Sequence, residues 1–228
     1  MHGVQSIGDD IWCHDATYTL GALAIPHRMT VTRGASGGVI VHSPCRPDEA
    51  TRGALDALGP VESIVWPSWW HDLYFRAWAQ AYPRATCYVA PALQRLAAGD
   101  AHVHVLDSST VPAGLDMVFV DRLRVWMDEC VFLHRPSRSL IVADLVVNVP
   151  HSIPQPARTF FALMGAFPGP RIPWFYRWVA RDRRRLAERL RRILDWDFDA
   201  LVMGHGDLVR SGAHAAFVSC VEQLRLNA

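Results

Sequence analysis

The sequence lacks several features that would assign it to a particular class of protein. It contains no lysine, so all 23 basic residues are arginine, which we interpret as a coding bias rather than as chemistry. The longest apolar runs are interrupted by aspartate, arginine or proline, so no segment is expected to span a membrane. The N-terminus has no basic start followed by an apolar core, and we therefore expect no signal peptide.

Cysteine is scarce, and the common nucleotide and nucleophile motifs are absent. The five cysteines are scattered and never form a Cys-x-x-Cys pair: they are Cys13, Cys45, Cys87, Cys130 and Cys220. This argues against a disulfide framework or a cysteine zinc site and favours a reducing, cytoplasmic location. The sequence has no serine-nucleophile elbow, no phosphate-binding glycine loop and no dinucleotide fingerprint, so those reactions have no support.

Length and composition instead indicate one sizeable globular domain. Half of the 228 residues are hydrophobic, which allows a large core, and the net charge of +1 favours no particular partner. Strand and helix patterns alternate in two parts of similar length, about residues 1–100 and 101–228. We therefore predict an α/β (α+β) fold, a single domain in which two sheets pack face to face with helices outside, as a four-layer αββα sandwich.

Apolar periodicity and turn residues predict the elements of this sandwich. Predicted strands cover residues 11–19, 29–32, 39–42, 61–66, 86–89, 103–105, 117–120, 123–127, 130–133, 139–147 and 200–203. Predicted helices cover residues 47–59, 72–82, 91–98, 159–164, 174–194 and 213–226. Residues 149–173 contain many prolines and are predicted to form a loop, long enough to be a lid or binding loop.

The chemistry-bearing residues collect where three predicted strands end. His71 and Asp72 follow the first of these strands. Asp144 ends the second, and His205 follows the third between two glycines. Ligands in α/β sheets are usually held at the carboxyl ends of strands, so these residues predict a metal or acid–base site. Each residue also has a purely structural interpretation. His71 could be a donor at the edge of the core, and Asp72 could cap a helix. Asp144 could be a buried acceptor of loop amides, and His205 could belong to a plain turn.

Other histidines and acids are weaker candidates. His134 ends a predicted strand shortly before Asp144, and Glu129 precedes it; either could replace a lost ligand, although such residues more often tie down a hairpin. His102 and His104 share a strand face but have no acid at ligand spacing, so we interpret them as surface residues. Three further histidines have no spacing argument: His27, His42 and His151.

One predicted helix is crowded with arginine. Its basic residues are Arg181, Arg183, Arg184, Arg185, Arg189, Arg191 and Arg192, with only Asp182 and Glu188 among them. Such a helix could bind phosphates, nucleic acid or an acidic lipid surface. A solvated outer face is the commoner outcome, and we therefore expect no nucleic-acid partner.

Six stretches of the sequence resemble a known group of proteins. They are PHRMTV at 26–31, GVIVHSP at 38–44, WPSWWHDL at 66–73, ECVFLHRPSRSLIVADLVVN at 129–148, RDR at 181–183 and DWDFDALVMGHGD at 195–207. In this order they resemble the metallo-β-lactamase fold superfamily, and within it a bacterial and plant family named only as a domain of unknown function. The resemblance covers most of the chain and implies the four-layer fold, but no particular reaction.

The resemblance also implies a metal site with fewer ligands than usual. The superfamily binds one or two metal ions, usually zinc, through an H-x-H-x-D-H loop, a further histidine, a bridging aspartate and a late histidine. By this resemblance Asp144 is the bridging aspartate and His205 the late histidine. With Asp72 at the aspartate position of the loop, other residues occupy its histidine positions: Ser68, Trp70 and Leu73. The further histidine is missing from residues 124–128.

We therefore predict a metal-dependent hydrolase that holds one divalent ion, with zinc first and iron or manganese as alternatives. The predicted ligands are His71, Asp72, Asp144 and His205, with His134 in reserve, and the predicted catalytic residues are Asp72 and Asp144. The predicted partner is a small-molecule substrate, an ester, thioester or related compound. The alternative is a metal-free member of the fold that binds a ligand or another protein. No oligomeric state is predicted.

Overall fold

Two β-sheets form the framework of the fold. A computed structural model describes residues 3–71, 73–97, 102–121 and 127–226. In these residues the first sheet has seven strands in chain order: β1 (Gln5–Gly8), β2 (Ile11–Leu20), β3 (Leu23–Arg33), β4 (Val39–His42), β5 (Val61–Trp66), β6 (Thr86–Val89) and β7 (Val103–Val105). The second sheet has four, also in chain order: β8 (Leu115–Val120), β9 (Glu129–His134), β10 (Ser139–Val142) and β11 (Ala200–Met203).

The helices are mostly short and connect or follow the strands. They are α1 (Glu49–Leu58), α2 (Phe75–Ala81), α3 (Gln94–Ala97), α4 (Ala157–Leu163), α5 (Tyr176–Val179), α6 (Arg183–Leu194) and α7 (Ala213–Gln223). Asp48 caps α1 through its side chain, and Gly59 ends it, as the acidic start and terminal glycine of this segment predict. Among the helices that the structure describes, none is long and apolar enough to cross a membrane.

The second sheet shows how the layers arise from side-chain alternation. Phe132 of β9 and its neighbour Ile141 of β10 belong to the core shared with the first sheet. Leu133 and Leu140, one position away, instead pack with buried residues of α6 and α7 on the other face. Buried residues of α1 and α2 pack against the first sheet. The predicted order of helices, two facing sheets and helices is therefore confirmed.

Most strand positions agree with the prediction, whereas the predicted bounds of two longer elements are wrong. The strands at 39–42, 61–66, 86–89, 103–105 and 200–203 have the predicted bounds. The strand predicted at 139–147 ends at Val142, because the next three backbone amides bond to the carboxylate of Glu129. The helix predicted at 174–194 is two helices, α5 and α6, because Ala180 is extended and Asp182 caps a new helix.

Some predictions fall where the structure gives no description. Asp72 and residues 122–126, which hold most of the predicted strand at 123–127, lie outside the described residues, as does residue 98 at the end of the predicted helix at 91–98. The first sheet uses residues 5–105 and the second uses residues 115–203. A single domain with two similar halves stays a prediction.

Candidate metal centre

Three predicted site residues converge at one edge of the sandwich. His71 ends a 3₁₀ turn (Trp69–His71) after β5, whereas Asp144 and His205 follow β10 and β11. Strands β10 and β11 are parallel and in register to their ends, so the two residues that follow them meet at one edge. One potential ligand atom from each of the three residues lies within 4.8 Å of the others. The structure therefore brings His71, Asp144 and His205 together.

The two imidazoles point their Nε2 atoms at one carboxylate oxygen. Oδ1 of Asp144 lies 3.0 Å from Nε2 of His205 and 3.4 Å from Nε2 of His71. The Nδ1 atoms are engaged elsewhere, that of His71 by the hydroxyl of Ser43 and that of His205 by the carbonyl oxygen of Pro26. Since a carbonyl oxygen only accepts, Nδ1 of His205 carries a proton, and Nε2 is the ring atom that faces Asp144.

Ser43 holds an unusual backbone conformation to make its contact. Its φ of 55° lies in the left-handed region, which costs a non-glycine residue about 1 kcal/mol or more. Its amide bonds to Val65, its hydroxyl to His71, and its carbonyl oxygen lies 3.2 Å from Nε2 of His27. Ser43 therefore links the end of β4 to the 3₁₀ turn and to a third histidine.

A second carboxylate shapes the loop that presents Asp144. Glu129 has no exposed surface and accepts the backbone N–H groups of Ala143, Asp144 and Leu145 at 2.6–2.8 Å. Ser68 adds a hydrogen bond of 3.1 Å to Oδ2 of Asp144. Glu129, a weak ligand candidate in the sequence, thus lies beside the cluster and has both oxygens occupied by the loop.

The acids and bases of the cluster have displaced pKa values. Burial alone would raise the pKa of Asp144, but the imidazoles of His71 and His205 outweigh it and hold this pKa well below its usual range. Burial would lower the pKa of His205, yet the hydrogen bond to Asp144 raises it. Burial, and then the charge of Asp144, raises the pKa of Glu129 despite its three amides. The two imidazoles therefore favour the ionised form of Asp144.

Two glycines flanking His205 allow the close packing of this edge. A Cβ atom on Gly204 would lie 2.7 Å from Cε1 of His71 and 2.8 Å from the carbonyl oxygen of Ala143. Gly206 has a φ of 94°, and a Cβ atom there would lie 2.1 Å from the carbonyl oxygen of Asn148. Only glycine therefore fits at either position without displacing a ring or a loop.

The segment of β3 from Pro26 to Arg28 completes the site. The Pro26 carbonyl orients His205, and the buried Arg28 guanidinium donates to the carbonyl oxygens of Met203 (3.1 Å) and Gly206 (2.7 Å). His27, between them, has its ring centroid 5.1 Å from that of His71 and 6.2 Å from that of His205. The histidine rings therefore form a cluster of three, although His27 itself has no spacing signal in the sequence.

A cavity of about 1080 Å³ lies on the far side of His27. His27, Gly204 and Gly206 form its wall toward the cluster. Polar residues that line the remainder include His14, Asp15, Arg28, Arg46, Asp48 and Asp207. His71, Asp144 and His205 do not line it. Burial and the neighbouring imidazoles hold the pKa of His27 well below its usual range, so this wall carries a neutral ring.

The reserve ligand His134 is not brought to the cluster. It stands at the opposite end of β9 from Glu129, and a six-residue strand is about 17 Å long. Its Nδ1 lies 2.7 Å from the hydroxyl of Ser137, in the turn to β10. His134 therefore lies outside the group of potential ligands, and its contact is that of the hairpin role. Asp72 lies outside the described residues.

Three other histidines contact aromatic rings. His42 is buried edge-on against Phe132, and burial, with the nearby His71, lowers its pKa to about 3. His104 packs against Tyr88, and His151 against an aromatic ring of the loop at 149–173. None of these three residues belongs to the group of potential ligands found among the described residues.

A family comparison matches the first part of the chain. The model of a family described as Domain of unknown function (DUF4336) matches residues 8–96. The matched stretch includes His71 but neither Asp144 nor His205. No curated protein matches the sequence.

Solved structures resemble nearly the whole chain. A metallo-β-lactamase from Pontibacter korlensis is 15% identical, with a TM-score of 0.62 over 96% of this chain and 98% of that one. One from Erythrobacter litoralis is 13% identical, with a TM-score of 0.63 over 96% of both chains. A metal-soaked Flv1 flavodiiron core from Synechocystis sp. PCC6803 is 11% identical, with a TM-score of 0.66 over 97% of this chain and 60% of that one. The chain therefore has the metallo-β-lactamase fold.

Proposed function

We propose that this protein is a hydrolase in which His71, Asp144 and His205 hold one divalent metal ion, with zinc as the first choice. The observation that carries the proposal is the convergence of two imidazole Nε2 atoms on one carboxylate oxygen while both Nδ1 atoms are engaged elsewhere. This is the arrangement in which histidine ligands are usually oriented for a metal. The similar structures include proteins titled as metallo-β-lactamases and a metal-soaked flavodiiron core, which supports it.

The donor set fits such an ion. Bonds of 2.0–2.2 Å in a tetrahedral zinc site place neighbouring ligand atoms about 3.3–3.6 Å apart. The separations of 3.0 and 3.4 Å from Asp144 to the two Nε2 atoms are close to this range. Three protein ligands are the number of a catalytic zinc site, and imidazole with carboxylate also suits iron and manganese. A bound ion would act as a Lewis acid toward the carbonyl oxygen of a substrate.

The protein's own residues support hydrolysis of an ester or thioester. Asp144, whose other oxygen accepts a hydrogen bond from Ser68, lies at this edge and is one of the two proposed catalytic residues. Trp69 and Trp70, on the turn that carries His71, are 36% and 56% exposed and offer an apolar surface to an organic substrate. A catalytic and ligand role for Asp72 remains part of the proposal. So does a cytoplasmic location, which five free cysteines support.

Metal analysis of the protein purified without a histidine tag tests the proposal. We expect one equivalent of zinc, iron or manganese per chain, and its loss in Asp144→Ala and His205→Ala, since each change removes a third of the ligand set. The matched control is His134→Ala, which removes a histidine from the far end of the sheet and should keep the metal. Two equivalents, or retention of the metal in both site variants, would show that other residues bind it.

A metal-free binding protein is the second candidate. The broken loop favours it, since Ser68, Trp70 and Leu73 occupy the histidine positions of the superfamily pattern. In this case the contacts of Asp144 with two imidazoles would be hydrogen bonds that stabilise the fold, and these three residues would not bind a metal. A well-folded protein that takes up no metal under any loading condition would favour this candidate over the hydrolase.

A further inference from the structure

Three large apolar side chains stand exposed on the segment that links α4 to α6. Leu163 is 71% exposed, Trp174 49% and Trp178 69%. Exposed apolar side chains that adjoin one another mark interaction sites, whereas isolated ones need no explanation. Their relative positions therefore decide whether they form a binding surface.

Backbone contacts bring the three residues close to one another. A Cβ atom on Gly165 would lie 1.5 Å from Cδ1 of Trp174, so this indole rests directly on the backbone two residues after Leu163. Trp178 follows one helical turn later, and the amide of Arg177 bonds to the carbonyl oxygen of Trp174 at 3.3 Å. We call Leu163, Trp174 and Trp178 the apolar patch.

Positive charge concentrates on the same segment. Residues 163–184 contain one acid, Asp182, and five arginines: Arg171, Arg177, Arg181, Arg183 and Arg184. Their net charge is +4 (5 − 1), whereas the chain totals +1, so the rest of the chain carries −3 (1 − 4). Nε of Arg183 donates to the carbonyl oxygen of Arg177 at 3.1 Å, which brings the start of α6 against α5.

Neighbouring acids do not neutralise this charge. Asp121 binds Arg185 and Arg189 at 2.8 and 2.9 Å, on the side of α6 that faces the second sheet. The carboxylate of Asp182 accepts the amide of Arg185 as a helix cap. Within the described part of the chain, Arg181 and Arg184 are exposed and form no ion pair. Free cations therefore lie along the segment that carries the apolar patch.

We propose that the apolar patch and the arginines of residues 171–184 dock the protein on the surface of an anionic phospholipid bilayer. Tryptophan and leucine enter the boundary between headgroups and acyl chains, while the arginine side chains reach the phosphates. Nucleic acid would satisfy the arginines but offers no apolar medium for Leu163. Because this surface includes none of the three candidate metal ligands, the proposal does not depend on the proposed hydrolase.

Cosedimentation with vesicles tests the charge requirement. The vesicles contain phosphatidylcholine alone or with about one third phosphatidylglycerol, whose charge attracts basic segments. We expect the protein to bind only the mixed vesicles and to dissociate as salt is raised. Arg181→Gln with Arg184→Gln should weaken binding about 25-fold, at about 5-fold for each arginine. The matched control, Arg84→Gln with Arg95→Gln, removes two exposed arginines from the first half of the chain and should bind as the parent does.

Trp178→Ser tests the apolar contribution. The side chain is largely exposed, so the variant should keep the fold, which circular dichroism checks, and lose roughly 10-fold in vesicle affinity. Absence of vesicle binding would overturn the proposal, as would equal losses in the patch and control variants. Tight, salt-dependent binding to duplex DNA or RNA without binding to vesicles would assign the arginines to nucleic acid instead.

Discussion

Both ends of the four-stranded sheet carry polar residues, but the partners that compensate these residues differ between the two ends. At the end beside the candidate centre, Glu129 is fully buried and has three backbone N–H groups as partners. At the other end, Arg138 and Asp197 pair at 2.6 Å although their side chains are 54% and 79% exposed. A buried carboxyl group must be compensated by fixed hydrogen-bond partners, whereas an exposed ion pair competes with water. Burial therefore decides how each of these acidic groups is compensated.

The largest expected effect comes from breaking the buried end. Glu129→Ala leaves three loop amides without their acceptor and should lower the free energy of unfolding by about 3 kcal/mol or more. Urea unfolding followed by tryptophan fluorescence measures it. His134→Ala, at the other end of the same strand, loses one hydrogen bond to Ser137 and the packing of a fully buried ring, and should cost about 2 kcal/mol. Equal losses in the free energy of unfolding would contradict the expected difference between the two ends of β9.

A smaller, pH-dependent effect is expected at Asp121, which follows β8 at the buried end. Burial alone would raise its pKa, but the bonds from Arg185 and Arg189 outweigh it and lower the pKa below the ordinary 3.8. A carboxyl whose folded pKa is depressed contributes stability above its unfolded pKa, and this contribution disappears as pH falls through the folded pKa. Asp121→Asn should therefore cost about 1 kcal/mol at neutral pH, and this cost should decrease as the pH is lowered below 3.8 and through the depressed folded pKa.

Urea unfolding of the Asp121→Asn variant at a series of pH values checks this. The control is Asp116→Asn at the opposite end of β8, where the partner Arg135 is 70% exposed. We expect its effect to be smaller and to depend on salt, because water screens that pair. If Asp121→Asn lowers the free energy of unfolding equally at all pH values, packing rather than charge holds α6 to the sheet.

The smallest effect is expected from the exposed pair itself. Asp197→Asn removes the partner of Arg138 and should leave the unfolding midpoint unchanged at physiological salt, because both side chains remain hydrated. Thermal unfolding at low and high salt measures this. A clear drop in the midpoint would show that the far end of the sheet depends on its ion pairs as much as the near end does.

Local patterns predicted the strands better than the longer elements. Apolar runs such as those at 61–66 and 200–203 gave the correct bounds, since proline, glycine or acidic residues stop them. The strand at 139–147 was predicted too long because the residues after Val142 are apolar as well. What ends it is the carboxylate of Glu129, which comes from another strand. Apolar residues also continue at helical spacing across residues 174–194, so the pattern does not reveal that a new helix begins after the cap at Asp182.

The sequence by itself determined which strand ends carry His71, Asp144 and His205, because apolar strands and polar ends are local patterns. Only the tertiary structure decided which residues join them. His134 lies a strand's length away, whereas Pro26, His27 and Ser43 come from β3 and from the end of β4 to orient and flank the rings. Pro26 and His205 are 179 residues apart in the chain. Such contacts leave no spacing in the sequence, because packing of the two sheets, not chain connectivity, brings these residues together.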